Sequence, residues 1–472
     1  MSPPALGPAD LVIHGAAVVT VDPRDHVIEN GAVAVRDGRI VAVGTDRELR
    51  DHLATAARVL DARGKAVLPG FVDAHAHAGH ALTRALGRNG AEWMDTAGRI
   101  YARGADTEFW EIEAALSALE RIRCGTTTAC LLFGGGPDVM RTDDPAYADR
   151  HLGIVERSGL REVLALGPGR PPGPSVFVDR TIDPPTDRRV TFERQVEVAA
   201  DVIGRWRERS AGRVRVAVSC PVFSEADLAD AAVGPQAETI ALRTRELART
   251  KGVLLVQDGH RSGSIALAER RLGLGDGSCL FAHCIDLTEA DVESLERTGA
   301  KVAHNPTALM SVQGRCPAPE LMGRGVVVAL GSDAPAPDRP FDMFRHMFMA
   351  MRLHARHFRD ETVLPPTRAL RMATIDGARA LGLEHEIGSV ETGKRADLIL
   401  LDLAKPHLAA LGSPVEGVVS FANGADVDTV FVDGRIILER GNILTLDVDA
   451  VLEAAGPVAL RARMRANESR GS

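Results

Sequence analysis

Between about Pro69 and His385 the chain alternates short apolar, strand-like runs with longer helical stretches. FVDAHAH is followed by WEIEAALSALERIRCG, TTTACLLF, REVLALG, VRVAVSCP, GVLLVQDGH, SCLFAHC, KVAHNP and VVVALGSDAP. Strands that alternate with helices predict parallel βα units. About eight such units in roughly 315 residues is the size of a (β/α)8 barrel with some long loops. A doubly wound sheet is the competing arrangement, but it calls for a glycine-rich phosphate turn after the first strand. FVDAHAHAGH is not such a turn.

The two ends have a different texture. Residues 11–44 read as short alternating strands separated by NG and DG turns, the signature of β-hairpins. The same texture returns in ADLILLDL and DVDTVFVDGRIIL. The expected fold is therefore α/β, a (β/α)8 TIM-like barrel over 69–385, with a small composite β-sandwich domain built from 1–68 plus 386–445. Residues 446–472 are expected to form a C-terminal helix and tail. GPGRPPGPSVFVDRTIDPPTD at 167–187 is read either as a rigid surface loop or as an active-site wall, since loops after barrel strands face the site.

Composition excludes several roles. With 56 basic against 64 acidic residues, net −8, there is no bulk positive field for nucleic acid or an anionic membrane. No segment approaches the 18 or so uninterrupted apolar residues of a membrane span, and the first residues lack the pattern of a secretion signal. Cys124, Cys130, Cys220, Cys279, Cys284 and Cys316 form no CxxC pair, which suits reduced thiols in a cytoplasm.

Candidate chemistry sits at strand ends. In PGFVDAHAHAGH, His75 and His77 are two apart on a strand, so both imidazoles project to one side and can grip one metal ion. His80 is either a further group in the same cavity or a partner behind it. GVLLVQDGH ends in Asp258 and His260, SCLFAHC presents His283, VAHNP ends near Asn305, and VVVALGSD ends in Asp333. Singly each is bland; together they make the set of neutral nitrogens and a carboxylate that a divalent transition metal favours.

The ordered set PGFVDAHAH, CGTTT, FAHCIDLT, VAHNP, VALGSDAP, RMATIDGARALGL and EIGSVETGKRADLILLD resembles the metal-dependent amidohydrolase superfamily. The similar branch contains guanine deaminase, atrazine chlorohydrolase and related triazine hydrolases. HAGH and MRLHARHFRDETVLPP are also similar to phenylurea and thiocarbamate hydrolases. The resemblance implies His75 and His77 as first-strand ligands, Asp333 as both ligand and proton acceptor, and His283 as a contact to water or substrate. It also implies a fifth-strand ligand histidine followed three residues later by a proton-shuttling Glu.

Here the fifth strand departs from that pattern. Either Asp258 or His260 can take the ligand position. His260 is preferred, because a further imidazole suits the metal and a histidine preceded by glycine has freedom to turn inward. Under either alignment the Glu is missing: Arg261 stands three beyond Asp258 and Gly263 three beyond His260. The chain has only five lysines and none between Lys65 and Lys251, which excludes the lysine-bridged metal pair of other superfamily members. Cys220 is the remaining bridging candidate, against its reading as an inert buried thiol.

The expected activity is that of a mononuclear hydrolase. Water activated by one divalent ion (Zn first, then Fe or Mn) would cleave an amide, urea, carbamate or thiocarbamate carbon–nitrogen bond of a small molecule. Asp333 and His283 are the catalytic candidates; His75, His77, His260 and Asp333 are the ligand candidates; His80, Asp258 and Asn305 are candidates for the substrate pocket. The alternatives are a deaminase of a purine, pterin or triazine, and a non-catalytic scaffold of the same fold. A homodimer is expected from the resemblance, with no nucleic-acid or membrane partner.

Overall fold

The computed structural model describes residues 8–468 apart from 88, 136–138, 311–312 and 335–338, with the backbone alone at 309–310. Pro335 of the VALGSDAP motif and the last four residues of the tail lie outside the described residues.

Eight parallel strands form the centre in sequence order. They are β1 (Phe71–Ala78), β2 (Thr126–Phe133), β3 (Arg161–Leu166), β4 (Val214–Ser219), β5 (Leu255–Gln257), β6 (Cys279–Ala282), β7 (Lys301–His304) and β8 (Val328–Leu330). A parallel bridge between Ala76 and Asp333 joins the last strand end to the first. The result is a (β/α)8 barrel. Every residue of β1 and β2 is buried, as strands covered on both faces must be.

The interior is filled from all eight strands. Val72, Ala74, Cys130, Leu132, Val163, Ala165, Ala217, Val256, Leu280, Ala282, Ala303 and Ala329 belong to one cluster. Small residues dominate where the strands crowd the axis. The other strand faces, with Phe71, Leu131, Phe133, Leu164 and Phe281, pack under the helices. One of these helices is α1 (Thr107–Arg123), which Asp106 caps by accepting the Phe109 N–H at 2.9 Å. Another is α2 (Met343–Phe358), whose Met343, Met347 and Met351 stripe is buried in the same core.

The two ends of the chain meet in one nine-stranded sheet. Lys65–Pro69 from the N-terminal part pairs antiparallel with Leu398–Asp402 from the C-terminal part, with Leu398 opposite Pro69 and Asp402 opposite Lys65. Arg161, at the start of β3 and fully buried, fastens this sheet to the barrel. Its Nε donates to Asp397 at 3.1 Å and its Nη2 to Asp433 at 2.7 Å. The proline-rich 167–187 stretch carries part of a hairpin, Ser175–Asp179 paired with Thr186–Val190.

The C-terminal segment is a helix, α3 (Val448–Glu468), that docks rather than projects. Val451, Val458, Ala462 and Ala466 are buried, while Leu452, Leu460 and Met464 face outward. Among the described residues no helix is long and apolar enough to cross a membrane.

Removing one partner of a buried ion pair leaves an uncompensated charge, at a cost of about 3–5 kcal/mol. Arg161→Ala is expected to lower unfolding free energy by about that amount in urea titrations. A loss below about 1 kcal/mol would contradict the fastening role, since that is what an exposed pair contributes.

Candidate metal and catalytic site

Strict alternation on β1 would put Asp73, His75 and His77 on one face. The pairing with β2 slips by one residue between Asp73 and Ala76, because Asp73 stands opposite Ala129 and Ala76 opposite Leu131. That bulge re-aims the strand. Asp73 turns to the helix side, where it pairs with Arg121 of α1. His77, opposite Leu132, shares the interior face, and His75 joins it. Gly331 is required beside them, since a Cβ there would lie 2.7 Å from the His75 carbonyl oxygen and 2.3 Å from Asn305 Oδ1.

Five side chains converge at the C-terminal end of the barrel. His75 Nε2 lies 3.3 Å from Asp258 Oδ1, His283 Nε2 3.1 Å from the same oxygen, and His77 Nε2 3.5 Å from Asp258 Oδ2. Asp333 Oδ1 is 3.3 Å from His77 Nε2 and 3.9 Å from the Nε2 atoms of His75 and His283. His75, His77, His283 and Asp333 are buried, and the Asp258 side chain is 10% exposed.

Two of the five sit on strained backbone. His283 has φ +70° and Asp333 φ +59°, a region that costs a non-glycine residue about 1–2 kcal/mol. Strain of this kind persists where surrounding structure over-determines it, and it clusters at functional sites. The surrounding bonds are visible here. The His283 N–H donates to Ala303 at 3.1 Å and the Asp333 N–H to His75 at 2.9 Å. Asp73 accepts from the Ser332 N–H at 2.8 Å and from its hydroxyl at 2.5 Å, which fixes the residue preceding Asp333.

The charges are mutually dependent. Burial pushes the Asp258 carboxyl up, but the charges of His75 and His283 close beside it outweigh this and hold the group well below the ordinary carboxylate range. Asp333 behaves alike: burial opposes ionisation, while His77, His283 and Arg339 impose it. His77 and His283 are raised in return, against burial, by the same two carboxylates. His80 goes the other way, held well below its ordinary value by burial and by His77.

The donor set fits a divalent metal ion. Both nitrogens of His75 and Oδ1 of Asp258 are buried without a hydrogen-bond partner. Buried polar atoms normally have partners, and a cation among imidazoles and carboxylates would satisfy Nε2 of His75 and Oδ1 of Asp258. The groups whose donor atoms lie close enough to share an ion are His75 with His283 and Asp333, and His75 with His77 and Asp258.

His260 is placed elsewhere. Gly259, at φ +95°, turns the chain just past β5, and His260 lands against Phe281 on the helix side, ring centroids 4.3 Å apart. Its Nδ1 meets Ser264 Oγ at 2.9 Å. The sequence preference for His260 over Asp258 is therefore reversed in geometry: Asp258 faces the cluster. Asn305 lies against His283, Nδ2 to Nε2 3.4 Å, and the His80 ring is 5.0 Å from that of His77. Cys220 is outside the cluster, its thiol on the Pro221 carbonyl and pushed up to about 12 by burial.

Sequence reasoning missed three groups. Arg339 donates to Asp333 Oδ2 at 3.2 Å, from a proline-rich stretch of sequence without periodicity. Asp73 and Tyr101 were hidden because a register slip and a long-range hydroxyl contact leave no local pattern.

Comparison with known proteins identifies the family and the fold. The model of the Amidohydrolase family matches residues 239–437, and that of an imidazolonepropionase-like composite domain of bacteria matches residues 31–52. A 5-methylthioadenosine/S-adenosylhomocysteine deaminase of Syntrophobacter fumaroxidans is 33% identical over 96% of this chain and 98% of its own. A 5'-deoxyadenosine deaminase of Methanosarcina mazei is 30% identical over 97% and 100%. Among solved structures, a zinc-bound adenosine deaminase of Xanthomonas campestris superposes with TM-score 0.81 at 25% identity, covering 97% and 99% of the two chains. An atrazine chlorohydrolase of Arthrobacter aurescens shares the fold, with TM-score 0.78 at 19% identity over 95% and 100%.

The Asp73 anchor generates a graded expectation. Asp73→Ala strands the buried Arg121 and should cost about 3–5 kcal/mol of unfolding free energy in urea. Ser332→Ala removes one hydroxyl bond and should cost about 1 kcal/mol. Equal costs would contradict the central place of the Arg121–Asp73 pair.

Proposed function

Because the chain belongs to the amidohydrolase family and is a hydrolase of carbon–nitrogen bonds, we propose that it is a one-metal enzyme cleaving an amide, urea, carbamate or thiocarbamate bond of a small molecule. The observation that carries this reading is the buried cluster of imidazoles around two carboxylates, with no further acid in it among the described residues. Arg261, exposed, stands where the resembling deaminases carry their shuttle Glu.

His75, His77, Asp258 and Asp333 would hold the ion, with zinc favoured by the zinc-bound Xanthomonas relative. When bound, such an ion brings the pKa of a water toward neutrality. Asp333 accepts the water's proton, and Arg339 orients its carboxylate from the other side. His283 donates from Nε2 to the oxyanion that develops as the oxygen adds to the sp² carbon. Asp333, now carrying the proton, passes it to the leaving nitrogen. A nitrogen expelled from a tetrahedral amide or urea carbon asks less of a shuttle than the amino group of an aromatic ring, which fits the absent Glu.

Deamination of an aminated heterocycle is the second reading, favoured by the names of the full-length deaminase relatives. Location in the cytoplasm is supported by six free cysteines, five of them buried. A homodimer is supported by exposed Phe348, Met349 and Phe421 on neighbouring helices.

Two measurements test the proposal. By elemental analysis of purified protein, Asp258→Ala is expected to lose the bound metal while His260→Ala keeps it; the reverse pattern refutes the ligand assignment. In a panel of amides, ureas, carbamates, thiocarbamates and aminoheterocycles, turnover is expected from the first four classes and abolished by Asp333→Asn. Ammonia release confined to the heterocycles establishes the second reading instead.

A further inference from the structure

His80 is the imidazole beside the cluster that the ligand assignment leaves unused, yet its surroundings are built with unusual care. It opens a short turn, His80–Leu82, directly after β1. Gly79, at φ +106°, makes this turn possible, and a Cβ there would meet Tyr101 and Trp110 at 3.0–3.1 Å. The His80 ring lies between those of His77, with centroids 5.0 Å apart, and Trp93, which it meets edge-on at 4.7 Å. It is 1% exposed.

One edge of the ring is occupied. Nδ1 lies 2.6 Å from the Tyr101 hydroxyl, which lies 2.9 Å from Thr83 Oγ1. Thr83 has two other acceptors within reach, the carbonyls of Gly79 and His80, but both are at 3.4 Å. By length Tyr101 is the better acceptor for the Thr83 proton, an arrangement in which Tyr101 gives its own proton to Nδ1. The 2.6 Å separation agrees, lying below the usual range of about 2.7–3.2 Å for an N–H donating to oxygen. A neutral imidazole that accepts at Nδ1 carries its proton at Nε2.

Tyr101 is itself held rigidly. It lies on a π-helical turn, Ile100–Gly104, a feature that recurs at functional sites. Arg141, fully buried, donates from Nη1 to the carbonyls of Tyr101 at 2.6 Å and Ala102 at 3.1 Å. Its Nη2 donates to the Val178 carbonyl at 3.0 Å, tying the turn to the 175–190 hairpin. The remaining nitrogen of His80, Nε2, has no protein partner among the described residues and lies on the ring edge away from Tyr101.

We propose that His80 is a catalytic residue, a neutral imidazole locked by Tyr101 with its proton on Nε2, which donates one hydrogen bond to an acceptor on the substrate's reacting group. The acceptor is a carbonyl, thiocarbonyl or imine-type atom, so the site selects substrates that carry one next to the scissile nitrogen. The substrate half of this inference rests on the proposed carbon–nitrogen hydrolysis; the tautomer does not.

The tautomer is read by multiple-bond ¹⁵N–¹H correlation on the full-length, metal-loaded protein labelled at histidine, with His80 assigned by its disappearance in His80→Gln. The expected result is a pyridine-type Nδ1 and a pyrrole-type Nε2, with the pattern lost in Tyr101→Phe. A pyrrole-type Nδ1, or an averaged pair in the unmodified protein, overturns the proposal whatever the substrate.

On a substrate identified by the panel above, His80→Leu should lower kcat by roughly 10²- to 10³-fold, the usual effect of removing one such donor. KM and metal content should stay close to those of the parent. His80→Gln, which keeps an N–H donor, should recover most of the rate. Equal losses in both variants, or loss of metal from either, overturn the catalytic role. A panel with no turnover of any acyl-type substrate defeats the function reading separately, and the tautomer measurement still decides the lock.

Discussion

The junction of β1 and β8 is the constraint on which the rest of the structure depends. There the barrel closes through the Asp333 N–H on the His75 carbonyl, so the bond that completes the ring also joins two members of the candidate site. Asp73, on the opposite face of β1, holds Ser332 and the guanidinium of Arg121. A closed parallel barrel leaves no free sheet edge at this end, and its last residue must adopt whatever backbone the closure dictates. Asp333 accordingly sits in the left-handed region, held by bonds on both sides.

Charge balance follows from that geometry. Two carboxylates facing one another across a buried space repel, and each can ionise only because imidazoles stand between them and Arg339 stands behind Asp333. In a low-dielectric interior such groups are costly unless fully paired. The unpartnered nitrogens of His75 and the unpartnered Oδ1 of Asp258 mark where pairing within the protein ends and a cation's part begins. His80, outside this ring of charges, is kept neutral and is available for hydrogen bonding rather than for charge.

Much of this was legible in the sequence, and the exceptions share a cause. The strand and helix alternation gave the barrel, because strands buried on both faces carry a continuous apolar signal. His75, His77, His283 and Asp333 were visible as polar residues ending apolar runs. His260 escaped the strand reading because β5 is only Leu255–Gln257 and Gly259, at positive φ, turns the chain immediately afterwards, sending His260 to the Phe281 side. Strand parity cannot foresee a turn of that kind, nor the slip on β1 that separates Asp73 from His75. Arg141 and Tyr101 act through contacts between segments far apart in sequence, and Arg339 from a stretch without periodicity six residues past Asp333, so none leaves a local pattern.

The chain thus joins a family fold to a site whose fifth strand presents a carboxylate to the cluster and an arginine three residues on. The most direct test of this account is anomalous diffraction from crystals of the full chain, measured on either side of the bound metal's absorption edge. One strong peak is expected in contact with His75, His77, Asp258 and Asp333. A peak coordinated by His260, two peaks bridged by a common ligand, or no peak in active protein would contradict it.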